Sequence, residues 1–232
     1  MYVISVFIYN FRVNSIPIIY ENEDIIVINK PCGLAVQGGH GIKNSVDNLL
    51  AEQLGYPVYL VHRLDQNTSG LLLVAKTSSA ASVYTKLVNS GSVKKEYKAI
   101  CAGCPAEKKG SFSDDIVHKG KNQSALTWFT VEKHGVYDFE GEKRVFSLLS
   151  LKLGTGRMHQ IRIHLSKAGF PILADDKYGD FKLNKLIAKQ LRIKKLQLVA
   201  FRISFPYAGK TVVLEVPLPD HMAEAESVLF QP

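Results

Sequence analysis

Val58-Tyr59-Leu60-Val61, then His62-Arg63-Leu64-Asp65-Gln66-Asn67-Thr68-Ser69-Gly70, then Leu71-Leu72-Leu73-Val74-Ala75 read as strand, loop and strand. Both apolar runs have the character of buried strands, so the polar segment between them is carried at the end of a sheet. A rigid scaffold presenting a carboxylate beside a guanidinium is a way to position a nucleophile. The same letters also describe an ordinary turn, because Asp and Asn start turns and Ser and Gly finish them. Both readings stay open on this stretch alone.

Working outward, Ile25–Ile28 is a short apolar run ending at Lys30-Pro31, followed by a glycine-studded loop from Cys32 to Gly41. That loop lacks the Gly-Lys-Ser/Thr ending of a phosphate-binding loop. Ser45 is placed to cap a helix through Val46, Leu49 and Leu50 to Leu54, stopped by Gly55 and Pro57. Ser78 or Ser79 caps a second, with Ala80, Val83, Tyr84, Leu87 and Val88 on its apolar side. Lys95–Ala102 alternates as a strand that puts Tyr97, Ala99 and Cys101 on one face. Residues 105–124 read as an exposed polar excursion. Strands follow at Ala125–Lys133 and Arg144–Leu153, a helix at Met158–Lys167, and a basic amphipathic stretch at Lys182–Lys195. Two final strands, Phe201–Phe205 and Thr211–Val216, flank a turn at Tyr207-Ala208-Gly209. Strands dominate and helices do not alternate regularly with them, which predicts an α+β fold with a mixed, mainly antiparallel sheet and helices packed on it.

The 232 residues include 29 Lys and Arg against 21 Asp and Glu, a net charge of +8 that favours a polyanionic partner, most simply nucleic acid. Three cysteines make no disulfide framework in a chain this long. Cys101-Ala102-Gly103-Cys104 has C-x-x-C spacing, but with no second pair it reads as buried thiols in a reducing compartment. The Met1–Phe11 segment is strand-like, with no basic leader or cleavage site, and no stretch is long enough to span a membrane as a helix. A cytoplasmic location is the expectation.

A second polar concentration, Gly154-Thr155-Gly156-Arg157-Met158-His159-Gln160-Ile161-Arg162-Ile163-His164-Leu165, puts His159 and Arg162 three apart on one helix face, with Arg157 at its entry. Ile161, Leu165 and Ala168 form the opposite, packed face. The helix carries no acid, unlike the mixed-sign faces of ordinary solvated helices. His62, His159 and His164 have poor spacing for a metal. Tyr97, between Lys95 and Lys98, suits either stacking on a base or a plain strand position with lysines reaching to water.

Together these segments resemble the pseudouridine synthases of the A-type ribosomal-large-subunit family, from about Ile18 to Pro219. The opening motif is Tyr20-Glu21-Asn22-Glu23-Asp24-Ile25-Ile26-Val27-Ile28-Asn29-Lys30-Pro31 with Gly33, and the catalytic motif is His62-Arg63-Leu64-Asp65 with Thr68-Ser69-Gly70. Lys95 with Tyr97 resembles the tyrosine motif. Gly156–Leu165 with Gly169, Pro171, Asp175 and Tyr178-Gly179 resembles the arginine motif. Gly38-Gly39-His40-Gly41 and Asp175–Asp180 look most like the C-type enzymes, which modify 23S ribosomal RNA. Two departures stand out. The N-terminal S4-like RNA-binding domain usual in that subgroup is not expected here, and a Leu-His pair of the family reads Leu198-Val199. The resemblance divides the chain into an N-terminal segment, 1–17, and a catalytic domain, 18–232.

The resemblance implies an isomerase that converts uridine in RNA, most directly 23S ribosomal RNA, to pseudouridine, with no cofactor and no metal. Asp65 would be the nucleophile or the base acting at the ribose. Arg162 would pair with that carboxylate and aim it, and Tyr97 would stack on the displaced uracil. Arg63 would fill the space left by the flipped base, and His62, Lys30, Arg157, His159 and Lys95 would contact RNA. Lys94, Lys98 and the basic residues of 182–195 would meet phosphates. A monomer is expected. The rivals are a noncatalytic RNA-binding or ribosome-assembly protein, a synthase acting on transfer RNA, and a hydrolase using Asp65. A glycosidase needs a second flanking carboxylate, which the Asp65 loop does not carry.

Overall fold

A computed structural model describes residues 2–4, 15–39, 44–118 and 120–231. In chain order the elements begin with β1 Tyr2–Ile4, β2 Ile18–Glu21, β3 Ile25–Lys30, α1 Val46–Leu54, β4 Tyr59–Leu60 and β5 Ser69–Ala75. Next come α2 Ser78–Asn89, β6 Lys94–Ala102, β7 Lys109–Phe112, β8 Ile116–His118, β9 Lys121–Gln123 and β10 Thr127–Phe139. The last are β11 Glu142–Leu153, α3 Gln160–Lys167, α4 Phe181–Gln190, β12 Leu198–Tyr207, β13 Lys210–Glu215 and α5 Asp220–Leu229. The α+β expectation holds: β2–β3, β3–β5, β4–β5, β12–β13, β6–β11, β10–β11, β7–β10 and β8–β9 are antiparallel ladders, and β1 with β13 is parallel. The two units are Met1–Lys95 with Ala200–Pro217, and Glu96–Val199 with Leu218–Pro232.

In the first unit β3 lies between β2 and β5, in a register running from Ile25↔Ala75 to Lys30↔Gly70. All seven residues of β5 are buried, as its unbroken apolar run predicts. Val58–Val61 differs from the expectation of a buried strand. Only Tyr59–Leu60 pair with β5, and Tyr59 is exposed, because these residues form a short edge. The core gathers Ile25, Val27, Leu71, Leu73, Tyr84 and Phe205. Thr77, not Ser78 or Ser79, caps α2, accepting from the Ala80 N–H. The buried stripe of α2 centres on Ala80 and Tyr84. Val83 lies about 80° from that centre at 100° per residue, and it is exposed. The β12–β13 hairpin closes through Ala208 and Gly209, both with positive φ (48° and 71°). That pair of conformations matches the twist of a two-residue hairpin. Of the N-terminal segment, Tyr2–Ile4 pairs with β13; residues 5–14, like His40 and Gly41 of the C-type motif, lie outside the described residues.

In the second unit β11 sits between β6 and β10, and β10 also pairs with β7. Tyr97, Ala99 and Cys101 share the buried face of β6, as their alternation requires. The 105–124 excursion is mostly exposed, as expected, but it is not structureless: it forms β7 and the β8–β9 hairpin. Phe112 stacks on Phe129 at 4.9 Å, and Ile116 is buried. Polar composition concealed these two apolar anchors. The structure adds α5, which the sequence reading lacks: Met222, Ala225 and Leu229 are its buried side, at helical spacing. Gly135 of β10 lets the Leu229 carbonyl and Phe230 come close.

Candidate active site

The Asp65 loop is tied to the Pro31–Leu34 turn by bonds that need no second carboxylate. Lys30 is fully buried, and its Nζ donates to the carbonyls of Pro31 (3.0 Å), Leu34 (2.8 Å) and Gln66 (2.8 Å). The Gly33 N–H donates to Gln66 O at 3.0 Å, while Gln66 Nε2 donates back to Gly33 O at 3.0 Å. Cys32 Sγ meets Asn67 O at 3.1 Å. Thr68 N–H closes the turn onto Asp65 O at 3.1 Å, and Thr68 and Ser69 are buried behind it. Gly70 has φ +108°, and a Cβ there would clash with the Ala200 carbonyl, so only glycine fits where β5 leaves the loop. Leu64 is core. Asp65 itself is half-exposed on this fixed frame.

Burial lowers the Lys30 ammonium to about 8, while the charges of Cys32 and Asp65 act to raise it. It is still mostly protonated at neutral pH. An enclosed ammonium with three carbonyl partners cannot also meet a phosphate, so Lys30 is corrected from an RNA contact to the post that holds the loop. His62 Nε2 accepts the Leu73 N–H of β5 at 3.0 Å, and burial, then the Lys95 charge, keep the imidazole well below its ordinary range. One ring nitrogen of His62 therefore belongs to the scaffold. Arg63 is exposed.

Arg162 sits in a different kind of frame. Its guanidinium is 5% exposed; Nε donates to Asp175 Oδ2 at 2.8 Å and Nη2 to Asp175 Oδ1 at 2.7 Å. Nη2 also reaches Asp176 Oδ1 at 2.8 Å. Burial alone would raise the Asp175 carboxyl. The Arg162 fork and the N–H groups of Tyr178 and Lys177 outweigh it and hold the carboxyl below its usual value. The Tyr178 ring lies under the guanidinium, 5.3 Å to the centroid, and its hydroxyl is 3.0 Å from His159 Nδ1. The helix expected from Met158 starts at Gln160, because His159 takes a left-handed conformation (φ 54°) as the N-cap. His159 and Arg162 thus converge through Tyr178 and not through helical spacing.

Gln160 saturates its amide. Oε1 accepts from Thr155 Oγ1 (2.7 Å) and Arg157 N (3.0 Å), and Nε2 donates to Leu126 O (2.8 Å) and Thr127 Oγ1 (3.0 Å). His164 is buried between Thr127 Oγ1 and Asp114 O, a structural use of the ring. Arg157 is exposed, with Nε on Ser124 O at 3.2 Å. Tyr97 is buried on β6, and Lys95 is half-buried with its ammonium lowered by burial. Leu198 and Val199 are both core.

Gln160, Asp175, Asp176 and Tyr178 all stand in the quoted motifs, but the sequence reading gives none of them a role. A signal existed: between Lys143 and Leu214 the only acids are Asp175, Asp176 and Asp180, so a buried arginine of α3 had few partners to choose from in that span. No helix among the described residues is long and apolar enough to cross a membrane.

The chain matches the family model described as RNA pseudouridylate synthase over residues 24–167. It is 34% identical over 219 residues to an uncharacterized RNA pseudouridine synthase of Bacillus subtilis, covering 89% of this chain and 70% of that protein. With ribosomal large subunit pseudouridine synthase C of Pasteurella multocida it shares 35% identity over 221 residues, 88% of this chain and 65% of that one. Among solved structures, human RNA pseudouridylate synthase domain containing 4 superposes with a TM-score of 0.74 at 26% identity, covering 91% of this chain and 92% of that one. The order of the motifs, the α+β architecture and the family match agree: the chain belongs to the RNA pseudouridine synthases, which are isomerases.

Proposed function

We propose that the chain isomerises uridines of large-subunit (23S) ribosomal RNA, with Asp65 as the catalytic carboxylate, Tyr97 as the stacking partner of the uracil and Arg162 as the cation that aims Asp65. The observation that carries the reading is the Asp65 loop: a half-exposed carboxylate on a turn pinned by Lys30 and by its reciprocal bonds with Gly33. Catalysis rewards that kind of pre-organisation, since a nucleophile that needs no reordering loses no entropy at the moment of reaction. The similarity to a protein named as a ribosomal large subunit synthase supports the substrate class.

In the reaction the N1–C1′ bond breaks, C5 bonds to C1′, and the proton lost from C5 balances the one gained at N1. Asp65 acts at the ribose, and both a covalent and a glycal route use it ionised. The target base must leave its stack, at a cost of a few kcal/mol, before a side chain can reach it. Exposed Arg63, two residues from Asp65, is placed to enter the vacated space. Arg157, His159 and Lys95 contact the strand.

Large-subunit ribosomal RNA transcribed with 5-tritiated uridine tests this. The purified protein should release tritium to water without releasing uracil, and pseudouridine should appear at discrete positions. Release from transfer RNA transcripts alone would replace the substrate, and release from neither would remove the reading.

A further inference from the structure

Six of the chain's eight net positive charges fall in 181–195, which contains Lys182, Lys185, Lys189, Arg192, Lys194 and Lys195 and no acid. All six side chains are exposed. Among the described residues none of them has an ion-pair partner, whereas Lys76, Lys98, Lys133, Arg144, Lys152 and Arg202 each have a carboxylate. On α4, Lys182, Lys185 and Lys189 fall within an arc of about 60° over roughly 10 Å of axis, while Leu183 and Ile187 are buried on the other side. Repulsion along such a stripe costs stability unless a polyanion meets it.

The stripe is also firmly attached to the Arg162 frame. Asp180 caps α4 by accepting from Lys182 N and Leu183 N, both at 3.0 Å. Asn184 accepts from Ala174 N at 2.9 Å and donates to Asp175 O at 3.0 Å, and Asp175 is the residue that grips Arg162. Gly179 makes the clamp possible, because a Cβ there would clash with Asp175 O and sit 2.7 Å from Asn184 Nδ2. Phe181, at the head of the stripe, is 56% exposed, an aromatic surface beside the lysines.

We propose that the α4 stripe, Lys182, Lys185 and Lys189 with Arg192 beyond it, is a phosphate rail that holds the RNA strand flanking the target uridine, with Phe181 offering a stacking face to one base. This rests on the RNA-modifying reading above and adds where the strand runs. The contact is to the backbone, so it is independent of sequence and acts on binding more than on turnover.

The test is the triple variant Lys182→Ala/Lys185→Ala/Lys189→Ala beside a matched one, Lys86→Ala/Lys108→Ala/Lys143→Ala, whose lysines are also exposed and unpaired among the described residues. Affinity for fluorescein-labelled oligouridylate is followed against KCl, and steady-state tritium release against the ribosomal transcript. The rail triple should weaken binding at low salt by at least about 10-fold and reduce the slope of log K against log salt by about 2, since each lost single-strand phosphate contact removes about 0.7. KM should rise by a similar factor with kcat within about two-fold, and the Lys→Arg triple should restore the slope. Equal slopes in the rail and matched triples overturn the rail, as expected if the stripe receives an acidic protein segment instead. A fall in kcat with KM intact also overturns it. Wild-type protein that neither binds nor turns over RNA would instead strike the functional reading beneath it.

Discussion

The Asp65 loop and the Arg162 cluster both fix one polar side chain, by opposite means. Around Asp65 the buried ion is the Lys30 ammonium, and its partners are three neutral carbonyls plus a zip of backbone bonds. Around Arg162 the partners are charged: a buried carboxylate gripping two nitrogens, a second at the surface, and an aromatic ring below. In the first frame the loop is held by the Lys30 ammonium and by backbone and amide bonds between Gln66 and Gly33. The second spends two carboxylates to keep a guanidinium ordered. A buried charge pair loses far more when one member is removed than a cation among carbonyls that can regain water, so the two frames should fail differently.

The largest effect on folding should come from Asp175→Asn, which leaves the shape but removes the charge facing Arg162. Urea denaturation should show a loss of about 3–5 kcal/mol; a loss under about 1 kcal/mol would mean the pair is not what orders Arg162. The pH dependence follows from the same group. Asp175 is held below its unfolded value of about 3.9, so its contribution is complete above that value and disappears as pH falls through the folded one. The wild-type stability curve should therefore drop below about pH 4, and the variant's should be flatter there. Lys30→Met should cost less, about 2–3 kcal/mol, because its three acceptors belong to exposed or half-exposed residues that recover water. Its signature is in rate: kcat should fall at least about 100-fold with RNA affinity nearly unchanged, and a variant with wild-type kcat would show that the loop needs no post. The smallest effect is a control on both frames. Ala208→Gly relieves a left-handed alanine and should stabilise by up to about 1 kcal/mol with kcat unmoved. A rate change there would mean that stability and activity are coupled, and would weaken the inference from the other two variants.

The same contrast explains what the sequence made legible. The Asp65 loop is local in part: its strands, turn residues and glycine stand within residues 58–75, while the lysine and turn that pin it come from the end of the neighbouring strand β3, 36 positions from Gln66 in the case of Lys30. Lys30 was still misread as an RNA contact, because composition shows a lysine and not the carbonyls around it. The Arg162 frame is assembled from α3 and an irregular segment near 175–178, where no periodicity signals contact. A helix read by spacing alone puts His159 on its face; the left-handed conformation at that residue, set by the Gln160 bonds and by Tyr178, has no local signature. Elements with a long apolar period, β5, β6 and β11, were readable. The strands within 105–124 and helix α5 were not, because only a few apolar side chains decide them: Phe112 and Ile116 in the first, Met222, Ala225 and Leu229 in the second.

The most direct measurement is tritium release from 5-tritiated ribosomal RNA by Asp65→Asn, run beside RNA binding by the same preparation. Asparagine keeps the size and the backbone turn but is neither nucleophile nor base. Turnover should fall below detection, at least about 10⁴-fold, while affinity for RNA stays within about two-fold. Turnover within about ten-fold of wild type would contradict the assignment of the chemistry to Asp65.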